Sequence, residues 1–540
     1  MTKLTNTTKA ATGMTGAGTA GVDATGVVIV GAGPTGLTLA CALARQGVAV
    51  RIIERAAEFH TGSRGKTLNL RSLEILADLA LGERLAAVGR THLPFRKYFD
   101  GEYVNETEPF AGARPTATVP YAASLWLPQT RVERLLRERL DEYGVKVELA
   151  TELVEFRQDG GGVEVRLADG GRIAAEYLVA CDGGRSTVRK LLGIPFVGDG
   201  DPEPMMVCGD VEVEGLEADA WHQWFGPQGA FMLCPLPGTR RWQLQAGPET
   251  DGEGRAVAPS LESFQRLAAL HTGSEDLRLT NATWLSTWRV NVRMAERYRE
   301  GRVFLAGDCA HVRPTAGGLG MNTGIQDAWN LAWKLGYVVR GLAAPALLDT
   351  YQEERLPIAA WTLDVTSAGL AAVVAAAGTP GVGVEAGRVG DVTGLALGYR
   401  WSRLAGGGGT DGDRAAGLGA AGPDVRRVAI DHTDDGGLRA GDRAPDSPCP
   451  GPEGSPARLF EHFAGDHFTL LGLGPSARPS LTALPDHVRP VPLDDADGAI
   501  RAAYGVTGDA LVLVRPDNHI ALIAPADGRV DVLAYLKALR

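Results

Sequence analysis

The most regular hydrophobic pattern begins at Val27. Val27-Val28-Ile29-Val30 is an unbroken apolar run, as a strand buried on both faces requires. Gly31 to Gly36 punctuate it, and Leu37 to Gln46 then carry a helical character that stops at Gly47. Ala49-Val50-Arg51-Ile52-Ile53 reads as a second strand, ending at Glu54. Together they predict a βαβ unit and hence a parallel sheet. Residues 130–143 predict a charged amphipathic helix with Val132, Leu135, Leu136 and Leu140 on one side. Residues 145–180 alternate as strands do. From about 196 to 290, aromatic and apolar residues alternate between Gly and Pro breaks, which predicts a mostly antiparallel sheet. Residues 302–306 return to an apolar strand and 322–340 to a helix.

Beyond that helix the pattern loosens. Residues 373–425 are loop-rich and contain the run Gly406–Gly409, which predicts a linker or poorly packed connector. After about 438, short strands and helices resume at Phe468–Leu473, Ala510–Val514, Ile520–Ile523 and Val530–Leu539, predicting a separate small α/β domain. Residues 1–24, rich in Thr, Gly and Ala, lack the patterns of a targeting segment and read as a disordered tail. The longest apolar stretch, around Ala368–Gly378, is too short to cross a bilayer. No membrane partner is expected, and the location expected is cytoplasmic.

Composition narrows the picture modestly. A chain of 540 residues exceeds one ordinary core and is expected to hold two to four domains. A net charge of -11 argues against nucleic acid as a partner, because neutralising phosphates needs clustered Lys and Arg. The six cysteines, Cys41, Cys181, Cys208, Cys234, Cys309 and Cys449, form no CxxC pair. Neither a metal site nor a disulfide framework is expected, and reduced, mostly buried thiols in a cytosolic protein are the plain reading.

The chemistry lies in the turns. Gly31-Ala32-Gly33-Pro34-Thr35-Gly36 fits GxGxxG, a pattern that is weak alone. The first glycine permits the tight turn, the second lets backbone approach a pyrophosphate, and the third lets helix and strand pack closely. The helix N-terminus then offers N–H groups to phosphate. Here the pattern follows an apolar strand, opens a helix, and is followed by Glu54, eighteen residues past Gly36. A carboxylate at that spacing suits the ribose hydroxyls of an adenosine. The second element is Gly301–Asp308, an apolar strand ending in Gly307-Asp308, where α/β sheets bind ligands. It feeds the glycine-rich loop Pro314–Asn322 and a helix over Thr323–Leu335. Two separated anion sites suit FAD, which needs one contact for its pyrophosphate and another for its ribityl chain and isoalloxazine. A helix N-terminus aimed at the flavin pyrimidine edge would stabilise negative charge on the reduced ring.

In these motifs the chain resembles the FAD-dependent aromatic hydroxylases of the p-hydroxybenzoate hydroxylase family. It most resembles the long branch that tailors polycyclic aromatic polyketides or inactivates rifamycin-type antibiotics. The resemblance covers roughly residues 25–400 by motif. Three motifs carry it: Gly31–Gly36 with Glu54 and Arg55; Cys181-Asp182-Gly183-Gly184-Arg185-Ser186-Thr187-Val188-Arg189; and Gly307-Asp308 with the loop from Pro314. It implies cofactor roles for Gly31, Gly33, Pro34, Thr35, Gly36, Glu54, Arg55, Asp182, Pro314 and Gly320. It also implies pyrophosphate binding by Arg64, a flavin contact by Gln129 and a ribityl contact by Asp308. Met321 and Asn322 would offer backbone N–H groups to the flavin, and Leu153 or Val154 would touch the adenine or simply be core. Two positions depart from the family pattern. Cys309 stands where Ala is usual and reads as a small core residue. Arg313 stands in a usually apolar stretch; it can reach a substrate or the flavin edge, with a solvent-facing arginine as the safer reading.

The fold implied is α/β. A Rossmann-like FAD-binding domain, of the glutathione-reductase kind, spans 25–195 and 291–400; a substrate-binding sheet domain is inserted at 196–290. A linker at 401–437 leads to a thioredoxin-like domain at 438–540. Gly441-Asp442-Arg443-Ala444-Pro445 and Leu513-Val514-Arg515-Pro516-Asp517 carry that last likeness, and with no CxxC its role is structural or a subunit contact. The activity implied is monooxygenation: NADPH or NADH, bound transiently, reduces FAD, O2 forms a flavin C4a-hydroperoxide, and one oxygen passes to an aromatic, polycyclic polyketide-type substrate. Baeyer–Villiger insertion, antibiotic inactivation and an inactive flavin-binding paralogue remain alternatives, while the WxWxIP motif of flavin-dependent halogenases is missing. The state expected is monomer or homodimer. No catalytic base is named. His222, Trp224 and Arg241, with Trp221, Trp242, Trp284 and Trp288, are candidates for a substrate site, against the alternative that aromatic stripes on sheets are core packing.

Overall fold

The computed structural model describes residues 23–314, 316–406, 437–451 and 455–540. Residues 1–22 of the expected tail and 407–436 of the expected linker lie outside the described residues.

The apolar run at Val27 is the centre of a sheet. The strand Asp23–Val30 pairs in parallel with Val50–Ile53 on one side and Arg172–Ala180 on the other, and the latter pairs in parallel with Val303–Leu305. Val27, Val28 and Ile29 are fully buried, because helices pack against this sheet. The helix Pro34–Arg45 opens on Gly33 rather than at Leu37, and packs against Leu319–Val339. Proline at its first position suits a helix start, since the N–H it lacks would have no partner there.

A second sheet also has eight strands. Its core strands are Phe196–Glu214, Trp221–Gly226, Gly229–Pro235, Arg241–Ala246 and Arg278–Ala295. Its edges come from outside the region that reads as a sheet in the sequence. Phe95–Phe99 joins Trp221–Gly226 in parallel and pairs with Glu102–Thr107, while His311–Val312 closes the other edge. The helix Leu261–Thr272 covers one face, burying Phe264 and Leu267 against Val207, Val211, Trp242 and Leu244.

The segment after the long helix Asp349–Ala376 is not a loose connector as far as it is described. Gly387 is packed against Gly369 and Val373, Val384 donates to Gln223 Oε1 at 3.0 Å, and Trp401 Nε1 donates to Glu353 O at 2.9 Å. Backbone and indole donors in this segment find acceptors in the body, so glycine content alone misleads there. The helical stretch Pro345–Ala376 is also long and apolar enough to cross a membrane by length and composition, beyond the short run near Ala368. Its Glu354 and Arg355 are fully engaged in buried ion pairs with other parts of the chain, partners that lipid would not offer.

The C-terminal sheet joins Val488–Leu493, Phe468–Leu473, Ala510–Val514 and Ile520–Pro525 in that order, flanked by the helix Arg529–Ala538. It is bolted to the body by charge. Arg515 Nη1 donates to Glu354 Oε1 at 2.7 Å, Lys334 Nζ to Glu354 Oε2 at 2.7 Å, and Trp333 Nε1 to Asp517 Oδ2 at 3.1 Å. Burial pulls the Lys334 pKa down to about 8; against burial, the charges of Arg515 and Lys334 hold Glu354 at about 2. Removing one partner from such a buried set leaves an uncompensated charge, which costs about 3–5 kcal/mol.

Candidate flavin and substrate site

The three glycine motifs converge at the C-terminal ends of the parallel strands. Gly31 has φ +103°, and a Cβ there would sit 2.4 Å from Cys181 O. A Cβ on Gly36 would sit 2.1 Å from Gly31 O, whereas one on Gly33 would meet nothing within 4 Å. The first and third glycines are therefore demanded by packing, and the second leaves its backbone open to a ligand. Thr35 wedges between two further glycines: a Cβ on Gly307 or Gly324 would lie 2.5 or 2.3 Å from its Oγ1. That contact joins the first motif to the third. Pro34 occupies the first turn of the helix.

Glu54 ends its strand beside this turn. Its Oε2 accepts from Ala32 N at 3.0 Å and its Oε1 from Ala56 N at 3.0 Å, leaving further lone pairs for ribose hydroxyls. Arg55 is exposed just beyond it. In the second motif, Asp182 Oδ2 accepts from Thr187 N at 2.7 Å and Val188 N at 3.3 Å, holding the start of a short helix. Among the described residues its Oδ1 is buried without a hydrogen-bond partner, and burial raises its pKa. An orphaned acceptor at the glycine turn fits a ligand that brings a donor.

In the third motif, Asp308 is exposed at the end of the strand Val303–Leu305. The helix after it starts at Leu319, a turn earlier than Thr323, with Gly318 as N-cap in the left-handed region. The N–H groups free of helical partners are therefore those of Gly318 to Met321. Asn322 lies one position too deep for that role. Its side chain instead ties the loop: Oδ1 accepts from Asn69 N at 2.9 Å and Nδ2 donates to Gly318 O at 2.8 Å and Thr67 O at 3.1 Å. A Cβ on Gly320 would meet open space, as at Gly33, and Pro314 is buried beneath.

Arg313 is a correction. It is buried, not solvent-facing, with Nη1 at 2.9 Å from His311 Nδ1 and Nη2 donating to Gly320 O at 2.7 Å. His311 Nε2 meets Asp327 Oδ2 at 2.6 Å, which also accepts from Gly307 N at 3.1 Å; Arg355 Nε donates to Asp327 Oδ1 at 2.8 Å. Burial opposes charge on Asp327, but His311 and Arg355 outweigh it and hold its pKa at about 2. This network props the glycine loop from behind. Cys309 is fully buried, its thiol donating to Ala180 O at 2.9 Å.

The loop from His60 to Thr67 spans from the cofactor turn to the second sheet. Arg64 is exposed and has φ +45°, unusual for a side chain with a Cβ. Asp210 holds it there: its carboxylate accepts from Ser63 N at 2.7 Å and Ser63 Oγ at 2.6 Å. Gln129 is buried at a helix start, its Oε1 accepting from Gly65 N at 3.3 Å and its Nε2 donating to Glu133 Oε1 at 2.8 Å. Leu153 is a core residue; its neighbour Val154 is half-buried.

Strand alternation decides the substrate candidates. His222 and Trp224 point toward the helix Leu261–Thr272, away from the glycine loops. His222 is sealed, with Nδ1 at 3.0 Å from Tyr98 OH and Nε2 at 3.0 Å from Glu217 O, and burial lowers its pKa. Trp224 stacks on Tyr98, and Trp242 is packed in the same cluster. These three are core, because one face of the sheet is closed by a helix. Trp221, Trp284 and Trp288 share the opposite face with Met206, Cys208 and Asp210, as the registers require. Trp284 meets the ring of His60 edge-on, which fixes that face toward the cofactor loops. Arg241 also lies there, lining a cavity of about 300 Å3 with Ser63, Thr130, Asp210 and Glu212. Lys66, Gln243 and Gln245 also lie on this face, and no motif in the sequence singles them out. The alternation in Arg241-Trp242-Gln243-Leu244-Gln245-Ala246 was the available signal.

Comparison with known proteins agrees with this geometry. The FAD binding domain family matches residues 24–366, and the C-terminal domain family of aromatic-ring hydroxylases matches 438–539. A flavin-dependent monooxygenase of Mycobacteroides abscessus is 38% identical over 520 residues, covering 94% of this chain and 99% of its own. The 6-methylpretetramide 4-monooxygenase of Streptomyces rimosus is 36% identical over 541 residues, covering 96% and 94%. Among solved structures, aklavinone-11 hydroxylase in complex with FAD and aklavinone superposes with TM-score 0.78 at 28% identity, covering 95% of this chain and 98% of that one. Motifs, fold and relatives thus converge on one conclusion, that this chain belongs to the FAD-dependent aromatic-ring hydroxylases and is a flavoprotein monooxygenase.

Proposed function

We propose that the enzyme hydroxylates an electron-rich, polycyclic polyketide-type aromatic substrate, using NADPH or NADH and O2. The observation that carries this reading is the half-open aromatic face of the second sheet, with Trp284, Trp288 and Met206 turned toward the cofactor loops. The substrates named for two relatives, 6-methylpretetramide and aklavinone, favour a polycyclic ligand. Bound FAD would supply electron transfer and oxygen activation. On this reading, the open backbone at Gly33 and the guanidinium of Arg64 take the pyrophosphate, Glu54 the adenosine ribose, and Asp308 the ribityl chain. The N–H groups of Gly318 to Met321 would hold the flavin ring and would favour negative charge on it. The sheet orients the ring and keeps water from the reacting centre. Six unpaired thiols suit a reducing, cytoplasmic setting.

The test is turnover. Holoenzyme would be given NADPH or NADH with a panel of polycyclic phenols and quinones under isotopically labelled O2. Substrate-stimulated oxidation of the nicotinamide, with one labelled oxygen on an intact ring, is the expected result. An oxygen inserted beside a ketone would replace hydroxylation by Baeyer–Villiger chemistry. FAD-loaded protein that never oxidises NAD(P)H faster with any aromatic ligand would defeat the reading.

A further inference from the structure

Lys66 is the one lysine in the loop that joins the cofactor turn to the second sheet. Gly65 beside it approaches Met321, and Thr67 on its other side approaches Gly318. Its backbone therefore lies between the two flavin motifs while its side chain runs onto the flavin-facing side of the sheet. There Nζ donates to Gln243 Oε1 and Gln245 Oε1, both at 2.7 Å, and lies 4.1 Å from the centroid of the Trp221 ring.

The amide of Gln243 has no freedom to turn. Its Nε2 donates to Ser63 Oγ at 2.7 Å and to Arg64 O at 2.8 Å, so its carbonyl oxygen must face Lys66. The site is thus built to hold a cation. Yet among the described residues both hydrogen-bond acceptors are neutral amides, for an ammonium with three donors. Charged or titratable groups around it are Asp210 and Cys208 from one strand and Cys234 from another. The Asp210 carboxylate is engaged by Ser63, and burial pushes both thiols up to about 11, leaving them neutral. Burial also lowers the Lys66 pKa, the response of an ammonium short of an anion. Lys66, Gln245, Met206 and Trp288 are each partly exposed on this face, while the ammonium itself lies deep between the two glutamines and Trp221.

We propose that the Lys66 ammonium, held by Gln243 and Gln245, is a specificity-determining contact that binds an ionised oxygen of the substrate, an acidic phenolate or an enolate of a 1,3-dicarbonyl. This rests on the monooxygenase reading and adds to it which rings are accepted and how they lie. An anion at Lys66 would hold its ring against the partly exposed side of this face, near Met206 and Trp288, between the sheet and the flavin loops. It would also exclude ethers of the same ring, which bring no charge.

Equilibrium binding separates this inference from turnover. The probe is 1,2-dihydroxyanthraquinone, whose colour changes on ionisation, together with its dimethyl ether. Each is titrated into wild-type, Lys66→Met and Lys66→Arg holoenzyme across pH. The expected result is that wild type binds the phenol at least tenfold more tightly than the ether and lowers the pH at which the bound dye ionises by about one unit. Lys66→Met should lose both effects and Lys66→Arg should keep them. If Lys66→Met sheds its FAD, the wild-type ionisation shift alone decides: a bound dye that ionises at its free-solution pH overturns the inference. Equal binding of phenol and ether by wild type also overturns it, while leaving monooxygenation of neutral rings intact. Binding of neither ligand overturns it along with the polycyclic reading beneath it.

Discussion

At Gly31, Gly33 and Gly36 the functional feature is a missing side chain. A Cβ would strike Cys181 O at the first position and Gly31 O at the third, and would fill open space at the second. On the second sheet the functional feature is which side chain is present and on which side. Neighbouring residues point to opposite faces, so moving one position, from Trp242 to Gln243, exchanges a helix-covered core for a wall facing the cofactor loops. The cradle constrains sequence through backbone sterics that every such turn shares. The wall constrains it only through parity, which a short aromatic run does not reveal.

Breaking the cradle should produce the largest effect. Gly36→Ala puts a methyl 2.1 Å from a backbone oxygen, so the helix must move off the strand. Purified protein should carry no FAD absorbance; occupancy like wild type would show that the turn is not where the cofactor sits. Gly33→Ala sharpens the contrast, because it should fold with an unchanged melting temperature and still bind FAD more weakly.

Next comes the sealed face of the sheet. Trp224→Ala should cost about 3–5 kcal/mol by opening a core cavity, read from denaturant midpoints. Substrate affinity per folded molecule should barely change. A variant of ordinary stability with poor substrate binding would put Trp224 back in the site.

Acid probes the support behind the cradle. Asp327 titrates near 2 in the folded chain against an ordinary 3.8, so the unfolded chain takes up its proton first. Its contribution is complete above about pH 4 and is lost as pH falls through 2, on the order of 2 kcal/mol. Stability and FAD retention should fall together across that window. Asp327→Asn should be weakened already at neutral pH and show a shallower acid loss.

The smallest effect expected is at Asp308. Its exposed carboxylate accepts no hydrogen bond among the described residues and acts on the fold only through its charge on the buried Arg313, so Asp308→Ala should lower the melting temperature of the apoprotein only slightly. FAD should bind about tenfold more weakly, roughly 1.4 kcal/mol, the scale of one hydrogen bond to a charged group. Unchanged flavin affinity would remove Asp308 from the ribityl site.

Much of the cofactor side is legible in the sequence because its signals are local. An apolar strand, a glycine turn and a carboxylate at fixed spacing are covalently close, so residues near Gly31, Glu54 and Gly307 can be chosen without a fold. Arg313 shows where locality fails. Its burial depends on His311, Asp327 and Arg355, brought together by three separate elements. The same holds for Lys66, which has no meaning until Gln243 and Gln245 arrive from a strand nearly two hundred residues away. The connector before residue 406 misread as loose because its anchors, Gln223 and Glu353, lie far off in sequence.

The two faces of this sheet can be told apart by which of them the ligand touches. Flavin absorbance changes on adding a polycyclic phenol can be titrated in Trp288→Ala and Trp224→Ala holoenzyme side by side. Trp288→Ala should weaken binding with little loss of stability, while Trp224→Ala should lose stability and keep its affinity. The reverse pattern would contradict this assignment, placing the substrate on the side that the helix Leu261–Thr272 covers.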